Sequence, residues 1–86
     1  MMLTRQGRFG QTYLLSEVPE GTKITYRGKS ITVKFGIDML NAAWFEWQIK
    51  GKFVQDAFSF LSADEREFLI TGITPEAWAE IFKEAK

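Results

Sequence analysis

The stretch Thr22-Lys23-Ile24-Thr25-Tyr26-Arg27-Gly28-Lys29-Ser30-Ile31-Thr32-Val33-Lys34-Phe35 decides the fold. Gly28-Lys29 reads as a two-residue loop with glycine at the first central position of a type II′ turn, which makes 22–35 a β-hairpin. Arg27 then faces Ser30, Tyr26 faces Ile31, Thr25 faces Thr32, Ile24 faces Val33, and Lys23 faces Lys34. Each pair matches apolar with apolar or polar with polar. One face carries Ile24, Tyr26, Ile31 and Val33; the other carries Lys23, Thr25, Arg27, Ser30, Thr32 and Lys34. A slip of one residue would destroy that agreement, because side chains alternate between faces with period two. A hairpin alone is marginal in water, so its apolar face must pack on something else in the chain.

The chain downstream supplies helices. Gly36 breaks the strand, Asp38 is the expected N-cap, and Ile37, Leu40, Ala43, Trp44 and Trp47 recur at helical spacing as far as Gly51. A strand reading of Trp44–Ile49 stays open. The helix is preferred because Asp38-Met39-Leu40-Asn41-Ala42-Ala43 makes a poor strand. Val54, Ala57, Phe58 and Leu61 predict a short amphipathic helix. Ser62-Ala63-Asp64-Glu65 has the form of a capping box opening a helix that ends near Gly72. Thr74-Pro75 restarts the chain as N-cap and first helical residue, followed by a stripe of Ala77, Trp78, Ile81, Phe82 and Ala85.

Upstream the pattern is weaker. Tyr13-Leu14-Leu15 suggests a third strand, closed by Pro19-Glu20-Gly21. Residues 1–12, with Gly7 and Gly10 around Arg8-Phe9, show no period and read as a flexible arm or a weakly paired edge. The expected fold class is therefore α+β, in one domain over 1–86. An N-terminal β-hairpin, with a third strand as an option, packs against three to four short helices in 37–86.

Composition narrows the chemistry. In 86 residues, 45 % are apolar and 15 % aromatic, which is enough for one core and no second. There is no Cys and no His, so the commonest general base, the thiolate nucleophile and sulfur-ligated metal sites are all missing. Asp56, Asp64, Glu65 and Glu67 are close in sequence, but the last three diverge around one helix and suit its first turn. Gly7-Arg8-Phe9-Gly10 lacks the Gly-Lys-Ser/Thr ending of a phosphate loop. These readings predict a non-enzyme with no catalytic residues, no cofactor and no metal. No apolar run approaches the ~20 residues of a membrane span, and Met1–Gly7 lacks the apolar core of a signal peptide. A cytoplasmic location without membrane insertion is expected.

The net charge is zero, yet residues 1–36 carry six cations against two anions, and residues 37–86 carry five against nine. The two halves attract one another, or each serves its own partner. Two surfaces are candidates. Phe45 and Trp47, within Trp44-Phe45-Glu46-Trp47, are candidate protein-binding residues, since four large side chains in a row cannot all enter one core. The basic hairpin face (Lys23, Arg27, Lys34) with Arg5 and Arg8 of the arm is the candidate nucleic-acid contact. The bland readings are core packing for the first and a solvated sheet face for the second. The last helix, with Glu76, Glu80 and Glu84, would be repelled by phosphate and makes a poor recognition helix.

The stretch Gln55–Trp78, through its Gln55-Asp56-Ala57-Phe58, Leu61-Ser62, Arg66-Glu67-Phe68, Thr71-Gly72-Ile73-Thr74 and Trp78 positions, resembles a C-terminal signature of small phage-encoded proteins of unassigned function. The resemblance covers about the last third of the chain. It implies a shared helical substructure and a viral setting, and it brings no catalytic residue. With it, the leading expectation is a phage-encoded interaction module that binds a host or virion protein in the host cell. The alternatives are a DNA- or RNA-binding protein and a virion or scaffold component.

Overall fold

The structure, a computed structural model, describes residues 1–84, with side chains described through Ile81. The expected contributions of Phe82, Lys83, Ala85 and Lys86 to the last helix lie outside these described side chains. The chain runs β1 (Met2–Gln6), β2 (Thr12–Val18), β3 (Gly21–Tyr26), β4 (Lys29–Val33), α1 (Ile37–Gln48), α2 (Val54–Ala57), α3 (Ala63–Thr71) and α4 (Pro75–Glu84). The four strands form one antiparallel meander in the order β1-β2-β3-β4. Helices cover one face of the sheet; the other face meets solvent.

The hairpin forms, but its register differs from the expected one. Ile24 faces Ile31, Thr25 faces Ser30, and Tyr26 faces Lys29. The loop is therefore Arg27-Gly28, and both residues have positive φ, 50° and 79°. That combination marks a type I′ turn, whose twist matches the strands it joins. Arg27 tolerates the left-handed conformation at some cost, and its guanidinium sits over the Tyr26 ring at 5.6 Å. The turn moves by one residue, so every cross-strand partner moves by two. A two-residue shift leaves each side chain that stays in the strands on its original face, so the apolar face is the one the alternation predicts.

The first twelve residues are not a free arm. β1 pairs with β2 along its whole length, from Met2 opposite Ser16 to Gln6 opposite Thr12. Leu3 and Arg5 stand opposite Leu15 and Tyr13 and so share the helix-facing side.

The helix over 37–48 forms and buries the expected stripe of Ile37, Leu40, Ala43, Trp44 and Trp47. Its N-cap is Gly36, and Asp38 lies instead in the first turn, where a carboxylate complements the helix dipole. The amphipathic helix expected from Val54 to Leu61 is only one turn. It stops at Phe58, whose backbone (φ −112°, ψ 42°) leaves the helical region and delivers the ring into the core. Ser62 and Glu65 form the capping box: the Ser62 hydroxyl accepts from Glu65 N–H at 3.1 Å, and Glu65 accepts from Ser62 N–H at 2.9 Å. Thr74 caps α4, accepting from the Ala77 N–H.

The core is an aromatic cluster between sheet and helices. Trp44 packs on Tyr13, Trp47 and Phe58 with ring centroids 5.4–5.8 Å apart. Tyr13 also meets Tyr26 and Phe68, and its hydroxyl donates to the Phe68 carbonyl at 2.8 Å. Burial, and secondarily the neighbouring Tyr26, push that phenol above its ordinary pKa.

Candidate functional site

The site with the most shape lies where α1 crosses the outer edge of β1. Two backbone bonds fix the phase of the β1–β2 ladder: Glu17 N–H donates to the Met1 carbonyl, and Gly7 N–H donates to the Gln11 carbonyl. Odd-numbered residues of β1 thus bond inward to β2, while Met2, Thr4 and Gln6 turn their backbone groups outward. The outward Gln6 carbonyl accepts from Trp44 Nε1 at 2.8 Å and from Gln48 Nε2 at 3.0 Å. The outward Thr4 carbonyl accepts from Arg5 Nη1 at 2.7 Å. Side chains therefore occupy two of the three outward carbonyls of this edge, which hinders pairing with another strand.

Those bonds tether α1 to the strand edge, and a groove of ≈ 420 Å³ lies beside them. Arg5 and Gln6 form one wall; Asn41, Trp44, Phe45, Gln48 and Ile49 form the other. Arg5 is clamped there, its Nε donating to Asn41 Oδ1 at 2.8 Å. Phe45 is 51 % exposed and Ile49 is 70 % exposed, one helical turn apart on the lip of the groove. Phe53 is 68 % exposed a few residues further on. Glu46 is held nearby by two lysines: Lys50 lies 3.9 Å from Oε1, and Lys52 lies 3.7 Å from Oε2, which is buried and has no hydrogen bond among the described residues.

Phe45 therefore lies at the surface, as a binding residue must. Trp47 does not: at 4 % exposure it packs on Trp44 and Phe58 inside the core. Its position on the buried stripe of α1 places it there. Asn41, Gln48 and Ile49 were missed by sequence reading. Their helical spacing with Phe45 was a usable signal, but the opposing wall belongs to a strand that the sequence pattern did not reveal.

The five basic residues do not share one surface. Arg5 is on the helix-facing side of β1, and Lys23, opposite Ser16 and Thr32, is on the open face. Arg8 sits in the β1–β2 loop and Arg27 in the β3–β4 turn, both at the same end of the sheet. Lys34 follows β4. Arg27 thus leaves the hairpin face on which it was expected, because the turn takes it. The open sheet face, built from residues such as Thr4, Leu14, Ser16, Lys23, Thr25 and Thr32, carries no aromatic ring on which a base could stack.

A second cavity, ≈ 330 Å³, is lined by Ala63, Asp64, Glu67 and Trp78. Among the described residues no three His, Cys, Asp or Glu side chains gather as metal ligands, and no helix is long and apolar enough to cross a membrane. Comparison with protein-family models, curated proteins and solved structures finds no match to this chain.

Proposed function

We propose that this chain is a non-enzymatic interaction module, made by a phage, that binds a host or virion protein through the α1–β1 groove. The observation that carries this reading is the exposure of Phe45 and Ile49 beside a preformed groove whose base is hydrogen-bonded in place. A small core needs its apolar residues inside, so two large ones left on the lip of a cleft suit an apolar anchor from a partner. With the outward Thr4 and Gln6 carbonyls taken by side chains, side-chain docking rather than strand addition is the mode of contact at this site. The phage setting rests on the resemblance of Gln55–Trp78.

The test is photo-crosslinking in infected cells with a benzophenone amino acid at position 45 or 49, and at position 4 on the open sheet face as control. The expected result is one adduct from the groove positions, absent from the control and lost when the other lip residue is changed to serine. Equal labelling from all three positions would rule the groove out.

A further inference from the structure

The two edges of the sheet are not equivalent. We infer that the β4 edge, which among the described residues has no side-chain bonds to its outward groups such as those on the Thr4 and Gln6 carbonyls of β1, accepts an extended, acid-bearing peptide segment of another protein as a fifth strand. This surface is separate from the groove and does not rest on the reading of it.

The geometry follows from the turn. In a two-residue hairpin, Tyr26 and Lys29 form the hydrogen-bonded pair that closes the loop, so Lys29, Ile31 and Val33 bond inward to β3. The N–H and C=O of Ser30 and Thr32 then point away from the sheet. Among the described residues none bonds these groups, and both residues are exposed. They form an unsatisfied template with strand spacing, the feature used in recognition by strand addition.

Charge selects the occupant. Between Glu20 and Asp38 the sequence holds Lys23, Arg27, Lys29 and Lys34 and no acid. None of the four forms an ion pair among the described residues. Lys29 begins β4 and Lys34 follows it, so cations bracket the edge at both ends. Lysine on an edge ordinarily repels unwanted strands. A second copy of this chain, pairing through the same edge, would bring two such lysine sets together. A strand carrying carboxylates at its ends gains from the same charges. Nucleic acid is the rival anion, but backbone pairing to Ser30 and Thr32 gives it nothing.

The test uses two fluorescent peptides, Glu-Glu-Val-Thr-Val-Glu-Glu and Lys-Lys-Val-Thr-Val-Lys-Lys, with an oligothymidylate as competitor. Anisotropy measures binding, and amide hydrogen exchange by NMR locates it. The acidic peptide is expected to bind and to slow exchange at Ser30 and Thr32, while the lysine peptide does not bind. Thr32→Pro removes an outward N–H that the β3–β4 ladder does not use, and it should weaken binding about tenfold. Lys29→Glu combined with Lys34→Glu should transfer preference to the lysine peptide; if the proline variant fails to fold, this swap decides alone. Phe45→Ser should leave binding of the acidic peptide unchanged, which separates this surface from the groove. The inference is overturned by failure of the acidic peptide to bind, by exchange slowing only around Phe45 and Ile49, by binding indifferent to the charge swap, or by displacement by oligothymidylate at equal charge.

Discussion

The indole N–H of Trp44 donates to the backbone carbonyl of Gln6 across 38 residues of sequence, at 2.8 Å. This bond does two things at once. It satisfies the polar atom of a nearly buried tryptophan, and it occupies an acceptor on the exposed edge of β1.

Replacing Trp44 by Phe keeps most of the ring but removes the donor. We expect a loss of about 1–3 kcal/mol in urea unfolding, with Gln48 still covering the carbonyl. Adding Gln48→Ala should free the Gln6 carbonyl altogether. The double variant is then expected to self-associate with rising concentration in sedimentation velocity, while the wild type does not.

Gly72 and Gly10 make a controlled pair. Both have φ near +80°, but a Cβ on Gly72 would collide with the Tyr26 ring, whereas one on Gly10 meets nothing within 4 Å. Gly10→Ala should cost about 1 kcal/mol from backbone strain alone. Gly72→Ala should cost clearly more, about 2–4 kcal/mol, because strain and steric conflict add. Equal losses in parallel thermal melts would contradict the packing of α3 against Tyr26.

Tyr13 sets an alkaline limit. Its phenol is held above its ordinary pKa in the folded state, so the folded form keeps a proton that the unfolded form releases. The associated stability is complete below pH about 10 and declines as pH rises above it, by up to about 1.4 kcal/mol per pH unit. Tyr13→Phe should be less stable at neutral pH, having lost the bond to the Phe68 carbonyl, yet lose less stability between pH 10 and 11. Identical slopes for the two proteins in that window would show that Tyr13 is not the group responsible.

Phe45 and Trp47 separate surface from core. Trp47→Ala should destabilise by about 3–5 kcal/mol through the cavity it leaves. Phe45→Ser and Ile49→Ser should each stay within about 0.5 kcal/mol of wild type in chemical unfolding. Crosslinking from the groove should nevertheless disappear in the serine variants.

Faces were legible in the sequence; register and edges were not. Alternation in Lys23–Lys34 fixes which residues face the helices, but the pattern is unchanged when the pairing moves by two residues. Only the turn settles that, and Arg27 in a left-handed position is not what its side chain suggests. β1 escaped because an edge strand needs few inward apolar residues. Leu3 and a hydrogen-bonded Arg5 suffice here, and neither makes a pattern. The capping box and the core stripe of α1 were legible because each lies within one element. The groove depends on two segments far apart in the chain, so only its helical half, marked by Phe45, could be anticipated.

The bonds from Tyr13 to the Phe68 carbonyl and from Gln11 to the Ile70 carbonyl also bear on synthesis at the ribosome. The second strand emerges first, and the groups that complete its surroundings follow 55 to 59 residues later. Until residues 68–70 clear the exit tunnel, the nascent sheet lacks these acceptors and the Phe68 ring that covers Tyr13. Protease resistance of this sheet should consequently appear only once residues 68–70 have emerged, and stalled chains ending before residue 68 should remain substrates for degradation.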